Sequence, residues 1–452
     1  MVNSTSDVES VLNKFDTLKV NKKRRDASII ISMGELLDGY DIVVIGGALI
    51  VLTPLFKLSA LVTSTLGAIT FIGAFLGMVI LGNLADKIGR KQIFLIDLLV
   101  FAGLAVLSAL VYNVYELILV RFFIGVAIGA DVPTSMAYLS EISPKTSRLR
   151  WGGVLPNLMW ALGALLSSLA WYFLIPIGVQ AWRWVFGIGA IVAVVVWIAR
   201  QYVPESPRWL IAHGKNTEAQ KIFESFGMTA ADFEKNKNIQ KQPNAKKSKY
   251  SELFTGAYGM VTFAVVLLVI FNGIAGPIAT VLSSYLLRYV GLISIRGSLL
   301  YTVYIWLSAM AGLIFAFFIM DRFSRRKLGI IAGIVQGILA IVIAFYGAAY
   351  PILLLISIMG FGFVNWAIAI PLMWLWGTEL FPTDLRASGQ GITNGINRLT
   401  VAASSFIVVI GLVIIGRLGL MLIFAVLLFA FSAVVYLFKR FDTRNKSLEE
   451  IT

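Results

Sequence analysis

Seven ionisable residues stand where the surrounding sequence is apolar. Glu35, Asp38 and Asp41 fall three apart in one apolar run, while Asp97, Arg121, Asp131 and Arg398 lie in others. Holding such a group in hydrocarbon costs at least about 2.5–3.5 kcal/mol, so each needs a partner or a use. The chemistry open to them is proton binding by carboxylates and ion pairing with guanidinium groups. Little else is available. There is no cysteine, which removes disulfides, thiolate metal sites and cysteine nucleophiles, and the single histidine, His213, sits in a polar stretch. Without a nucleophile–base set or metal ligands, an enzyme is not expected, nor is a cofactor or a metal. If protons are used, carboxylates carry them.

The elements that must position these residues follow from composition. Of 452 residues, 58% are hydrophobic and 14% charged, and the mean hydropathy is +0.85. A soluble chain carries about 25% charged residues, so this is a polytopic membrane protein in contact with a lipid bilayer. A spanning helix needs about 20 mostly apolar residues. Twelve such runs occur, at roughly 28–54, 60–83, 92–112, 116–140, 151–176, 181–202, 255–287, 298–320, 328–348, 351–378, 388–415 and 417–438. The run after Lys22-Lys23-Arg24-Arg25 outlasts a signal-peptide core and has no small-residue cleavage pattern, so it is read as a retained first span.

Connections alternate between basic and nearly uncharged, which places both termini and the long central loop in the cytoplasm by the positive-inside rule. The expected organisation is a cytoplasmic tail (1–27), a six-helix bundle (28–202), a cytoplasmic loop with short amphipathic helices (203–254), a second bundle (255–438) and a cytoplasmic tail (439–452). Residues 235–249, KNKNIQKQPNAKKSK, read as a flexible linker. The net charge of +14 is scattered in short clusters between apolar runs, which argues against a nucleic-acid partner.

The two halves repeat. EISPKTSR (141–148) returns 238 residues later as ELFPTDLR (379–386), keeping Glu141, Pro144 and Arg148 in register with Glu379, Pro382 and Arg386. After the second span come Gly82, Asp86, Gly89, Arg90 and Lys91; after the eighth come Asp321, Arg325, Arg326 and Lys327. Matched clusters in two six-helix halves are a parallel repeat of the transporter type.

With GNLADKIGRK, Arg121 with GVAIG, YLSEISPKTSR, PESPRWL, DRFSRRK, ELFPTDLR and GYDIVVIGGAL in that order, the sequence resembles the major facilitator superfamily. Within it the likeness is to the sugar porter-like branch, the sugar and other transporter family. The tail DTRNKSLEEI matches only in part. The resemblance implies an all-α membrane fold, twelve transmembrane helices in two pseudo-symmetric six-helix bundles, working by alternating access. It implies a cytoplasmic gate (Gly82, Asp86, Gly89, Arg90, Glu141, Arg148, Asp321, Arg325, Glu379 and Arg386) whose charges clamp the bundles when the cavity faces outward, its glycines permitting the tight turns.

Depth pairs some intramembrane charges. Asp41 lies about 20 Å from the inner start of its span and Arg121 roughly 22 Å from the inner face, so their depths match. The resemblance adds that an aspartate and an arginine at these positions couple protons, with a permanent structural salt bridge as the alternative. Asp131, about 8 Å from the inner face, suits an inner-end arginine. Asp97 is similarly close to that face. Arg398 has no acid inside any span of its own half; it faces Glu35 or Asp38 across the cavity, binds an anionic substrate, or packs on carbonyls and water.

For the substrate, the resemblance implies glutamines in spans five and seven. Here those places read Pro156-Asn157 and Phe271-Asn272, whereas Trp374, five residues before Glu379, does match. RASGQGITNGINRLT (386–400) and DGYD (38–41) instead resemble the aromatic-acid and organic-anion proton symporters. Asn157, Asn272, Trp374, Asn394, Asn397, Arg398 and Asp38 are the candidate substrate contacts. The expectation is a monomeric plasma-membrane symporter of protons with a small-molecule substrate, a sugar or similar polar solute. An organic-anion symporter and an uncoupled facilitator are the alternatives.

Overall fold

Asn21 starts the first spanning helix: its side chain accepts from the Arg24 amide at 2.9 Å, an N-cap that ends the preceding loop. In this computed structural model, which describes residues 11–81, 84–144, 147, 149–229, 250–320, 322–381 and 386–442, twelve helices are long and apolar enough to span. The first half holds α1 (Lys22–Leu55), α2 (Ala60–Leu81), α3 (Arg90–Leu110), α4 (Val114–Ile142), α5 (Leu155–Leu174) and α6 (Ala181–Gln201). The second holds α7 (Gly256–Ala275), α8 (Ile295–Ile319), α9 (Arg325–Tyr346), α10 (Pro351–Val364 and Ile370–Glu379), α11 (Arg386–Ile414) and α12 (Gly416–Leu437). The stretches of α10 are joined by a π-helical turn, Asn365–Ala369.

The helix α1 begins inside the stretch expected to be a polar tail, because its basic first turn is used. Arg24 is fully buried and donates to the carbonyls of Ile142 and Phe15. A short helix over 11–17 packs there too: Phe15 meets Phe223 edge-on at 4.7 Å. The expected amphipathic segments of the central loop are helices Pro207–Ala212 and Asn216–Ser225. The linker 235–249 lies outside the described residues.

The neighbours repeat between halves. In the first, α1 packs on α5, α2 on α4 and α3 on α6; in the second, α7 packs on α11, α8 on α10 and α9 on α12. Across the halves α2 meets α11 and α5 meets α8. Hydrocarbon supplies no hydrophobic drive between helices, so small residues must let backbones close up. Gly73 and Gly77 of α2 face Gly125 and Gly129 of α4. A Cβ on Gly125 would stand 2.1 Å from the Thr70 carbonyl oxygen, and one on Gly73 2.2 Å from that of Phe122.

At the end away from the basic clusters the halves are in close contact. A Cβ on Gly46 would lie 2.4 Å from the Val281 carbonyl oxygen, and buried Leu49 and Leu282 share one core there. Toward the basic end a cavity separates them, bounded by Met78, Val132, Trp374 and Thr393 from the halves of α2, α4, α10 and α11 nearest that end.

Overpacking the α2–α4 crossing should cost about 1–3 kcal/mol. Gly125→Ala is therefore expected to lower the melting temperature of the detergent-solubilised protein. Gly103→Ala, where a Cβ meets nothing within 4 Å, should leave it equal or raised.

Candidate functional site

Each basic-end charge cluster closes on its own half. Arg90 donates to Glu141 at 2.9 Å and Ser206 also donates to Glu141; Arg325 donates to Glu379. Among the described residues, no ion pair at this end joins the halves. With the cavity reaching this end, the carboxylates that would clamp the bundles are held at home. Gly82, Arg148 and Asp321 lie outside the described residues, as do the side chains of Asp86 and Arg386.

Glu205 is a member of this cluster that sequence reasoning did not single out. Its carboxylate accepts from the Arg90 and Lys91 amides, both at 3.1 Å, and so caps α3 from another segment. Gly89, at φ 109°, brings the chain over it; a Cβ there would lie 2.5 Å from the Glu205 carboxylate. PESPRWL held the signal, as an acid beside the N-capping Ser206.

Deeper, Arg121 donates to the Asp41 carboxylate at 2.7 Å and to the Asp41 backbone carbonyl at 2.9 Å. Both side chains are buried, and Asp41 Oδ2 meets no donor. The second intramembrane pair is Asp131 with Arg200, the last-turn arginine of α6, at 2.6 Å.

The central cavity lies between these pairs and α7, α10 and α11. It encloses about 1030 Å³, open mouth included, and every candidate substrate contact lines it: Asp38, Asn157, Asn272, Trp374, Asn394, Asn397 and Arg398. Arg398 donates to Asp38 Oδ2 at 3.1 Å, an ion pair between α11 and α1 that joins the halves. Trp160 donates its indole N–H to the same oxygen at 3.0 Å. Trp160 also stacks on Trp366, with centroids 5.2 Å apart, and meets Trp306 at 5.3 Å.

Amides form the facing wall. Asn272 donates to the Asn365 carbonyl oxygen at 2.9 Å and Gln336 donates to it at 3.2 Å. The Asn365 amide nitrogen finds no acceptor. Asn365 stands where α10 widens into its π-turn, a backbone irregularity common at functional sites. Asn157, which lines the cavity, donates its side-chain amide to the Gly153 carbonyl at 2.8 Å. Trp160, Trp366, Asn365 and Gln336 were missed by sequence reasoning. A lone glutamine in the apolar run of α9 was a usable signal; indoles in spans were not, because they also serve ordinary packing.

Twelve spanning helices in two matched halves around a mid-depth polar cavity define a membrane transporter rather than an enzyme. The chain belongs to the sugar (and other) transporter family, whose model it matches over residues 27–452. It is 31% identical over 405 residues to the putative metabolite transport protein YaaU of Escherichia coli, covering 87% of this chain and 86% of that one. It is 30% identical over 443 residues to the arabinose-proton symporter of Bacillus subtilis, covering 93% and 92%. The fold is that of the major facilitator superfamily. The partially occluded inward-open structure of the xylose transporter XylE from E. coli superposes with a TM-score of 0.78 at 21% identity, covering 93% of this chain and 98% of that one.

Removing Arg398 strands the Asp38 carboxylate in the membrane core, at a cost of about 3–5 kcal/mol. Asp38→Asn and Arg398→Gln should each lower the unfolding temperature, and the double variant should lose clearly less than the two losses added. Additive losses in thermal denaturation would mean that the pair carries no coupling.

Proposed function

We propose that this transporter carries a small neutral solute of the sugar class together with protons. The observation that carries the reading is the state of Arg398: the cation lining the cavity is already neutralised by Asp38. What remains for a solute is uncharged. Amides of Asn157, Asn272, Asn394 and Asn397 can exchange hydrogen bonds with hydroxyl groups, and Trp160, Trp366 and Trp374 offer apolar faces to a sugar ring. A fixed, unpaired cation would instead favour a carboxylate.

Proton coupling falls to Asp41 and Arg121. One oxygen of Asp41 holds the guanidinium while the other meets no donor and is open to a proton. Protonation at the outer side breaks the ion pair and releases Arg121, which lets the loaded protein change state. At the inner side Arg121 pairs again with the carboxylate and the proton leaves. The B. subtilis relative, an arabinose-proton symporter, supports both halves of the reading.

By the positive-inside rule the basic end is cytoplasmic, so both termini lie in the cytoplasm of a plasma-membrane protein and the cavity described above faces inward. The transporter works as a monomer, since one chain supplies both bundles and the whole cavity. The cytoplasmic clusters gate it: Glu141 and Glu379 exchange their present partners for partners across the bundles when the cavity turns outward.

Thermal shift of the purified protein against a solute panel tests the substrate class. A ligand at about 100 times its Kd adds about 2.7 kcal/mol of stability. Pentoses or hexoses should raise the melting temperature, and Arg398→Ala should still respond to them. Stabilisation by an aliphatic or aromatic carboxylate, lost in Arg398→Ala, would replace the sugar with an organic anion. In proteoliposomes under a pH gradient, Asp41→Asn should exchange solute across the membrane but no longer accumulate it. Unchanged pH-driven accumulation in that variant would remove Asp41 from the mechanism.

A further inference from the structure

A row of charges that the Asp41–Arg121 step does not use runs from the cavity wall into the first half. In order it is Arg398, Asp38, Glu35, Asp131, Arg200 and Asp97. Asp38 is held by Arg398, and Asp131 by Arg200 through bonds of 2.6 and 3.0 Å. The second pair fills a notch over α1: a Cβ on Gly34 would lie 1.9 Å from Arg200 Nη2.

Among the described residues Glu35 and Asp97 have no cation of their own. Each is 6% exposed, and Glu35 Oε1 and Asp97 Oδ2 meet no hydrogen-bond donor. Each also borders a void. Glu35 lines the central cavity, and Asp97 lines a second, small cavity that Asp38 and Asp131 also border. Glu35 faces Asp38 on its own helix, Asp131 on α4, Arg200 on α6 and Arg398 on α11. Asp97 faces Asp131 and Arg200, accepts from the Leu98 amide at 2.6 Å, and comes within hydrogen-bonding reach of the Asp131 carboxyl. Two carboxyl groups in such contact hold a proton between them.

Four carboxyl groups thus share two guanidinium groups. Left ionised, the row would carry two uncompensated negative charges in the membrane core, which is far costlier than holding two protons. Among the described residues no group of three or more acidic side chains is placed to hold a metal ion.

We propose that Glu35 and Asp97 are proton-binding groups additional to Asp41, and that Glu35 and Asp38 share one proton according to which of them Arg398 holds. Glu35 and Asp38 are one helical turn apart on α1, whereas Arg398 belongs to the other half. Here Arg398 holds Asp38, and the proton is on Glu35. When α11 moves against α1 and Arg398 passes to Glu35, the O–H bond of Glu35 breaks and one forms on Asp38. The row keeps its net charge throughout. Movement of the halves is in this way tied to a proton shift along α1 beside the solute.

The inference goes beyond proton-coupled sugar transport, and its test needs neither solute nor flux. Infrared spectra of the full-length protein at about pH 7, in H2O and D2O, read the carbonyl stretch of protonated carboxyl groups. The native protein should show such bands, with one lost in Glu35→Gln and another in Asp97→Asn. Asp38→Asn is the discriminating variant. It frees Arg398 to pair with Glu35, so the Glu35 band should disappear although Glu35 is intact. A native spectrum without these bands, or a Glu35 band that survives Asp38→Asn unchanged, would overturn the proposal.

Discussion

Charge neutrality in the membrane core is the constraint on which the rest of this structure depends. An uncompensated carboxylate or guanidinium there costs several kcal/mol, comparable with much of a protein's net stability. Three arginines within the spans accordingly sit within 3.1 Å of a carboxylate: Arg121 on Asp41, Arg200 on Asp131 and Arg398 on Asp38. Two of these pairs lie within one half and leave it a self-contained unit. The third spans the halves beside the cavity, so it is the one that a change of state must stretch, exchange or break.

The packing makes such a change feasible. Within a half, glycine-lined crossings bring backbones into contact and fix α2 against α4 as one body. Between halves the most extensive contacts are the matched pairs α2 with α11 and α5 with α8, related by the same repeat that relates the bundles. The basic-end clusters follow the same division, since Glu141 and Glu379 are each satisfied inside their own half. With the far end closed and the near end parted, two rigid bodies rocking about a shared cavity need only trade one set of end contacts for the other.

Much of this was legible in the sequence because depth in a membrane is arithmetic. Counting residues from a span's end placed Asp41 level with Arg121 and Asp131 near the basic end, where Arg200 meets it. Which way a helix faces was harder. Spans apolar on every side carry no stripe to orient them, so periodicity does not say that Gln336 and Asn365 meet, or that Trp160 and Trp366 stack at the cavity. Arg398 shows both sides of this. Its depth and its lack of an acid in its own half left three readings, and the choice of Asp38 required knowing how α11 faces α1. The first helix also starts earlier than its apolar run, because the basic residues that read as the end of a cytoplasmic tail form the first turn of α1. In the fold its Arg24 caps carbonyls of neighbouring segments.

The cavity's aromatic wall and its charge pair belong to one construction. Trp160 holds Asp38 through its indole N–H, and its ring stacks on Trp366 of the other half. Asp38 also holds Arg398. The two halves are thus joined at mid-depth twice, by an ion pair and by stacked indoles, and both joints meet at one carboxylate. A solute that slides between the indoles, or a proton that neutralises Asp38, acts on the same junction. Solute binding and protonation can therefore loosen the halves together without touching each other, which is the thermodynamic requirement for coupling two species in one change of state.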